Sequence, residues 1–253
     1  MRFVAVGSGS RGNATLVEAG GTRLLVDCGF SLREIECRLA HLGVEPDSLA
    51  GIVVTHEHGD HVAGVARLAR RYRLPVWATP GTWRASGCPS DVDVRLFVGH
   101  GRGFRIGDIG LKPFPVPHDA REPCQFVIEG GGRRLGMLTD AGSVSTRARE
   151  SLRGCDGLIL ETNHDKAMLR SGPYPPALRA RVGGSFGHLS NDQAAALLDE
   201  LDHQHIKHLM LAHISAHNNR PELARAAVCG VSEDLGPRLC IAPQASSGSW
   251  LQL

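Results

Sequence analysis

Short apolar runs closed by glycine, proline or polar residues recur along the chain, and their lengths separate strands from helices. Phe3-Val4-Ala5-Val6, Ala14-Thr15-Leu16-Val17, Leu24-Leu25-Val26 and Ile52 to Thr55 are too short for helices and predict strands. Between them, Leu32, Ile35, Leu39 and Leu42 recur at helical spacing behind Ser31 and Glu34, the signature of a capping box, and Gly43 stops the run. Val62, Val65, Leu68, Ala69 and Tyr72 make the stripe of a second helix, ahead of a strand at Pro75 to Ala78. A β-rich middle follows, with Val94 to Val98, Phe104 to Ile106, Leu111 to Val116, Cys124 to Glu129 and Leu135 to Thr139. Alternation then returns: a helix at Thr146 to Leu152, a strand at Leu158 to Glu161, and a Gly/Pro-rich loop from about Ser171 to Gly187. Ser190 and Gln193 form a capping box for a helix through Leu201, before a strand at His208 to Ala212 and a last helix near Asn219-Arg220-Pro221. Two halves of this kind, with no low-complexity linker or short repeat, predict an α/β fold. The expected architecture is an αββα sandwich of two mixed sheets flanked by helices, with residues 1–253 as one domain.

The glycine-rich loop GSGSRGN joins strand to strand, whereas a dinucleotide fingerprint would lead into a helix. A tight hairpin and a backbone nest beside a charged site both remain open for it. No apolar run reaches the roughly 18 to 20 residues that span a bilayer, so no membrane partner is expected. The seven cysteines are scattered and contain no C-x-x-C pair, which predicts reduced thiols in a cytoplasmic protein. A net charge of +2 does not by itself mark a nucleic-acid binder. Arg147, Arg149, Arg153, Lys166, Arg170, Arg179 and Arg181, however, crowd a region with few acids, either as a solvated face or as a phosphate track. The sequence carries no signal for an oligomeric state.

The densest chemistry is THEHGDH, residues 55–61, directly after the apolar run Gly51 to Val54. In an extended segment residues two apart face the same way, so His56 and His58 can present both imidazoles to one point. Asp60 and His61, at the turn into the next helix, reach the same cavity. Imidazole with carboxylate suits zinc, manganese or iron, and the want of thiolates argues against a purely structural zinc. His118, Asp140 and His213 each end another apolar strand. With His56, His58, Asp60 and His61 they make seven candidate ligands, too many for one tetrahedral ion and about right for two.

THEHGDH with His118, Asp140 and His213 in order behind it resembles the metallo-β-lactamase-fold hydrolases over essentially the whole chain. The resemblance implies the αββα sandwich and a division of ligands. His56, His58 and His118 would hold one metal, Asp60, His61 and His213 the other, and Asp140 would bridge them. Asp27 would brace the ligand loop. GSGSRGN, ETNHDKAML from Glu161, GHLSNDQAA from Gly187 and LAHISAHNN are similar to the YycJ/WalJ group, regarded as DNA exonucleases. The segment from Gly187 to Ser215 also resembles ribonuclease Z, in which a strand-end Glu and a His outside the metal shell cooperate in proton transfer; Glu161 and His188 match them. An inserted tRNA-binding arm is missing, which speaks against tRNA processing. His164 and His217 are expected to hydrogen-bond behind the ligands, and His203, His205 and His208 to lie at the surface or a strand edge.

These readings predict a phosphodiesterase with two divalent ions, Zn2+ first and Mn2+ second, acting on nucleic acid, with DNA exonuclease activity. Two metals about 3.5 to 4 Å apart would share a hydroxide and lower the pKa of its parent water from about 15.7 toward about 7. Asp60 would orient this nucleophile, and His188, polarised by Glu161, would protonate the leaving oxygen. Arg147, Arg149, Arg170, Arg179 and Arg181 would hold flanking phosphates. The rival readings are an ester, thioester or lactone hydrolase on the same centre, a scaffold with a vestigial centre, and a diiron redox protein.

Overall fold

A computed structural model describes residues 1–253. Its strands form two seven-stranded sheets. The first holds β1 (Arg2–Gly7), β2 (Ala14–Ala19), β3 (Thr22–Val26), β4 (Gly51–Val53), β5 (Val76–Ala78) and β6 (Val94–Leu96), with β14 (Leu251–Gln252) outside β1. The second runs in chain order from β7 (Phe104–Ile106) through β8 (Ile109–Pro115), β9 (Cys124–Gly130), β10 (Arg133–Leu138), β11 (Gly157–Glu161) and β12 (His208–Ala212) to β13 (Leu239–Ile241).

The helices are α1 (Leu32–His41), α2 (Gly59–Val62), α3 (Val65–Tyr72), α4 (Pro80–Ala85), α5 (Thr146–Leu152), α6 (Lys166–Ser171), α7 (Pro176–Val182), α8 (Asn191–Glu200) and α9 (Pro221–Cys229). No helix is long and apolar enough to cross a membrane.

Strand alternation sorts the side chains into three apolar layers. Phe3, Val17, Leu24 and Val26 of the first sheet meet Phe126, Leu135, Met137 and Ile159 of the second between the sheets. Leu16, Leu25 and Ile52 face outward onto Ile35, Leu39 and Leu68 of α1 and α3. On the far side, Leu138, Leu160 and Leu209 cover Leu152, Leu197 and Val228 of α5, α8 and α9. The result is the expected αββα sandwich.

Parallel pairing aims the chemistry. β3 runs parallel to β4, with Val26 beside Val53, and β10, β11 and β12 run parallel with Leu138, Leu160 and Leu211 abreast. Asp27, the His56 loop, Asp140, Glu161 and His213 therefore all emerge at carboxyl ends of strands, where α/β sheets place ligands. Asp27, Asp140 and His213 have φ of 61°, 53° and 54°, a left-handed turn that costs on the order of 1–3 kcal/mol outside glycine. Asp and His are among the side chains that tolerate it best.

Several local expectations give way to tertiary packing. The helix expected after the histidine cluster breaks into α2 and α3 at Gly64, where a Cβ would lie 2.0 Å from the Phe30 carbonyl oxygen. The Ser31 cap is only half a box: its hydroxyl accepts from Glu34 N, but the Glu34 carboxylate turns to Arg38 at 2.7 Å. Ser190 and Gln193 make both halves. The stretch expected as a loop from Ser171 to Gly187 contains α7, whose Pro176 sits in its first turn. Thr79 with Pro80 starts α4 and Asp165 caps α6, two short helices whose apolar pattern is too brief to read. GSGSRGN is a hairpin loop, since β1 and β2 pair antiparallel.

That loop also clamps the ligand segment from below: Asn13 N donates to the Asp60 carbonyl at 2.7 Å, and Gly29 N donates to Asn13 O. A Cβ on Gly29 would lie 1.8 Å from the Asp60 carbonyl oxygen. Gly29→Ala is therefore expected to destabilise by about 3 kcal/mol, the upper end of overpacking costs. Chemical denaturation measures it, and a loss under about 1 kcal/mol would mean the loop yields freely.

Candidate metal centre

The structure brings all seven candidate ligands together. The ring nitrogens of His56, His58 and His118 lie within 4.8 Å of one another, and so do the ligating atoms of Asp60, His61 and His213. A third group within the same distance, His56, His61 and Asp140, joins the two trios. His56, His61, His118, Asp140 and His213 are buried, whereas His58 and Asp60 keep 29% and 25% of their side chains exposed. Those two face a cleft of about 350 Å³ that Asp140, His188 and His213 also line.

Each buried imidazole is braced at one nitrogen and presents the other to the cluster. His61 Nδ1 lies 2.8 Å from Asp27 Oδ2, and His118 Nδ1 donates to Gly187 O at 2.9 Å. His213 Nδ1 faces Glu161 Oε1 at 3.3 Å and Asn163 Nδ2 at 3.2 Å. Such outer partners fix the tautomer and orient the ligating nitrogen. Asp27 has no capacity left for an ion, because its oxygens also accept from Thr55 N at 2.8 Å and Thr55 Oγ1 at 2.7 Å. It pins both ends of THEHGDH.

Two inward atoms are orphaned. His56 Nε2 and Asp140 Oδ2 are buried without a hydrogen-bond partner. Asp140 Oδ2 comes 3.3 Å from His61 Nε2, and Asp140 Oδ1 comes 3.4 Å from His213 Nε2. An unpaired buried acceptor is costly, and a cation among these lone pairs would satisfy both. The donor set of imidazoles and carboxylates thus fits divalent ions.

Glu161 and His188 lie beside the cluster. Glu161 is fully buried; its Oε1 faces His188 Nδ1 at 2.7 Å, and its Oε2 accepts from Ala141 N at 3.0 Å and Leu189 N at 3.3 Å. Its lone pairs are committed to protein donors, which leaves little for an ion. His188, with 21% of its side chain exposed, opens onto the cleft.

The arginines divide. Arg181 lines the cleft and pairs with Asp119, next to His118. Arg170 and Arg179 line a separate cavity. Arg147 and Arg149 lie on α5, where they pair with Glu150 at 4.0 Å and Glu200 at 2.7 Å, and line neither hollow. His164 Nδ1 makes none of the hydrogen bonds expected of it, and His217 packs edge-on against Tyr174. His203 and His205 sit in a short 3-10 turn and His208 opens β12, all outside the cluster.

Sequence reading missed Asn13, Ser8 and Asn163. Asn13 Nδ2 lies 3.2 Å from Asp60 Oδ2 and 3.1 Å from His61 Nε2. Ser8 Oγ accepts from His213 N at 2.8 Å, and Asn163 Nδ2 donates to His213 O at 2.9 Å. The polar residues beside the strand-end His and in the hairpin loop were visible, but their partners are distant in sequence.

A family model described as a beta-lactamase superfamily domain matches residues 22–214. The chain belongs to the metallo-β-lactamase superfamily. It is 38% identical to the exodeoxyribonuclease YycJ of Bacillus anthracis over 93% of this chain and 90% of that protein. It is 34% identical to the exodeoxyribonuclease WalJ of Streptococcus pneumoniae, with the same coverage of both chains. The metallo-β-lactamase-fold protein YhfI from Bacillus subtilis superposes with a TM-score of 0.76 at 19% identity, covering 98% of each chain, which shows the shared fold. The protein is a metallo-β-lactamase-fold hydrolase.

Neighbouring carboxylates shift the imidazoles of this cluster. Burial would lower the pKa of His213, but Asp140 and hydrogen bonds to Asp60 and Glu161 raise it to about 10. Burial likewise opposes protonation of His61, yet Asp140 and Asp27 hold its pKa well above the usual histidine range. Burial would raise Asp140, and the attraction of His213 and His61 outweighs it, keeping the carboxyl well below its ordinary value. A metal takes each imidazole in its neutral form, so binding competes with the protons that these neighbouring acids favour. Uptake of divalent ions at pH 7 should release protons, and affinity should rise with pH toward the His213 pKa of about 10. Calorimetry in two buffers of different ionisation enthalpy measures the release. None would mean that neither imidazole is displaced from its acid.

Proposed function

We propose that the protein is a dinuclear metal-dependent phosphodiesterase acting on nucleic acid, and within that class a DNA exonuclease. The observation that carries the reading is the pair of ligand trios meeting at Asp140, with Glu161 and His188 at their side. Similarity over nearly the full chain to two proteins named exodeoxyribonucleases favours DNA as the substrate. His56, His58 and His118 would hold one ion, Asp60, His61 and His213 the other, and Asp140 would serve both. Zn2+ suits this imidazole-rich set best, and Mn2+ second. When bound, such ions supply Lewis acidity toward phosphoryl oxygens and an activated water.

The chain's own residues do the rest. Asp60, partly exposed at the cleft and fixed by Asn13, orients the attacking water. His188 offers its Nε2 proton to the leaving oxygen, while Glu161 at 2.7 Å from Nδ1 steadies the imidazolium that precedes transfer. Arg181 lines the same cleft, where a substrate phosphate would compete with Asp119 for its guanidinium. Such an enzyme would act in the cytoplasm, where its seven free cysteines stay reduced.

The test is cleavage of a 5′-labelled duplex and its single strand with Zn2+ or Mn2+, beside His58→Ala. A metal-dependent ladder that His58→Ala lacks is expected; no cleavage of either strand by metal-loaded protein overturns the nuclease reading. His188→Ala should lower kcat by about 10²–10⁴ on a natural phosphodiester and far less on one with an activated leaving group, which needs no proton. An equal loss on both substrates would refute the assignment of His188.

A further inference from the structure

Behind the wall of the cleft lies a second hollow that the proposed chemistry does not use. α7 has no buried residue and stands between the two: Leu178, Arg181 and Val182 face the cleft, while Arg179, Ala180 and Gly183 line a cavity of about 670 Å³. The segment after β11 divides in the same way, with Asn163 lining the cleft and His164 the cavity.

The cavity is built for an anion carrying an apolar body. Lys166, Arg170 and Arg179 supply its charge, and no carboxylate lines it. Lys166 shares its charge with exposed Asp192 at 3.0 Å, but the Arg179 guanidinium bonds only the Arg170 carbonyl, and its charge is not neutralised. Leu169 and Ala180 add apolar surface. His164 is 3% exposed, and its Nδ1 has no hydrogen-bond partner. That nitrogen has almost no accessible surface, so the ring meets the hollow with its other atoms.

We propose that this cavity seats a nucleotide of the same strand whose scissile phosphate lies in the metal cleft. The proposal rests on the nuclease reading. Arg170 and Arg179 take the nucleotide's phosphate, and Leu169 and His164 take its base. The volume exceeds what a bare phosphate needs and suits a whole nucleotide. The partition is one helix, about 10 Å across with its side chains, so a strand rounding α7 reaches the cavity within a few nucleotides of the cleft. α7 is then a post around which the strand bends, and interactions on both faces hold the strand in place between cleavage steps.

The test is a length series of single-stranded oligodeoxynucleotides on the metal-loaded protein and on Arg170→Ala/Arg179→Ala, two solvent-facing positions. For the wild type, KM should drop about tenfold once the oligonucleotide is long enough to round α7. The double variant should lack that step and show a salt slope shallower by about 0.7 for each phosphate it no longer binds. The same step in the variant would overturn the proposal. Inhibition by dAMP that the variant loses, with no length step in the wild type, would assign the cavity to a free mononucleotide and also overturn it. Anisotropy of a fluorescent oligonucleotide with phosphorothioate linkages that resist cleavage, on the metal-loaded protein, separates the two levels. Binding about tenfold weaker in the variant supports the cavity even if the cleavage assay fails, and equal binding refutes it.

Discussion

Asp140 is a carboxylate with 2% exposure, set at a left-handed turn where β10 ends, with one oxygen 3.4 Å from His213 and the other 3.3 Å from His61. A buried charge is tolerable only when it is paired, and the pairing here draws in both sheets. β10 and β12 bring Asp140 and His213; β3 and β4 bring Asp27 and the histidine loop. Remove the carboxylate and His61 and His213 lose a neighbouring charge that raises their pKa. The arrangement of the site follows from meeting that one requirement.

The cost is spread over features that look merely structural. Three strand-end residues accept strained backbone, and Gly29 and Gly64 give up their side chains so that the ligand loop can lie directly on the segment below it. Asp27 commits both oxygens to holding Thr55 and His61 in place. Glu161 commits its own to two backbone amides and to His188, which ties the proposed proton donor to the same strand ends as the ligands. The site is therefore preorganised by hydrogen bonds that leave the inward faces of the imidazoles free.

Much of this could be read from the chain. THEHGDH is dense enough to announce a metal centre by itself, and strand-end positions pointed to His118, Asp140 and His213, which the fold brings beside it. The two-layered sheet followed from strands in both halves of the chain. What stayed hidden depends on pairing between distant segments. α7 lies in a Gly/Pro-rich stretch and buries nothing, so it has no apolar stripe to reveal it. Arg147 and Arg149 share composition with Arg181 but point to Glu150 and Glu200 from another helix, because a run of like residues carries no direction. Asn13 reaches Asp60 across 47 positions, a partnership that only the folded hairpin creates.

The claim that two ions share Asp140 is tested most directly by anomalous X-ray scattering at the edge of the metal carried by the purified protein. Two peaks per chain about 3.5–4 Å apart are expected, one among His56, His58 and His118, the other among Asp60, His61 and His213, with Asp140 between them. A single peak, or one coordinated by Glu161 and His188, would contradict it.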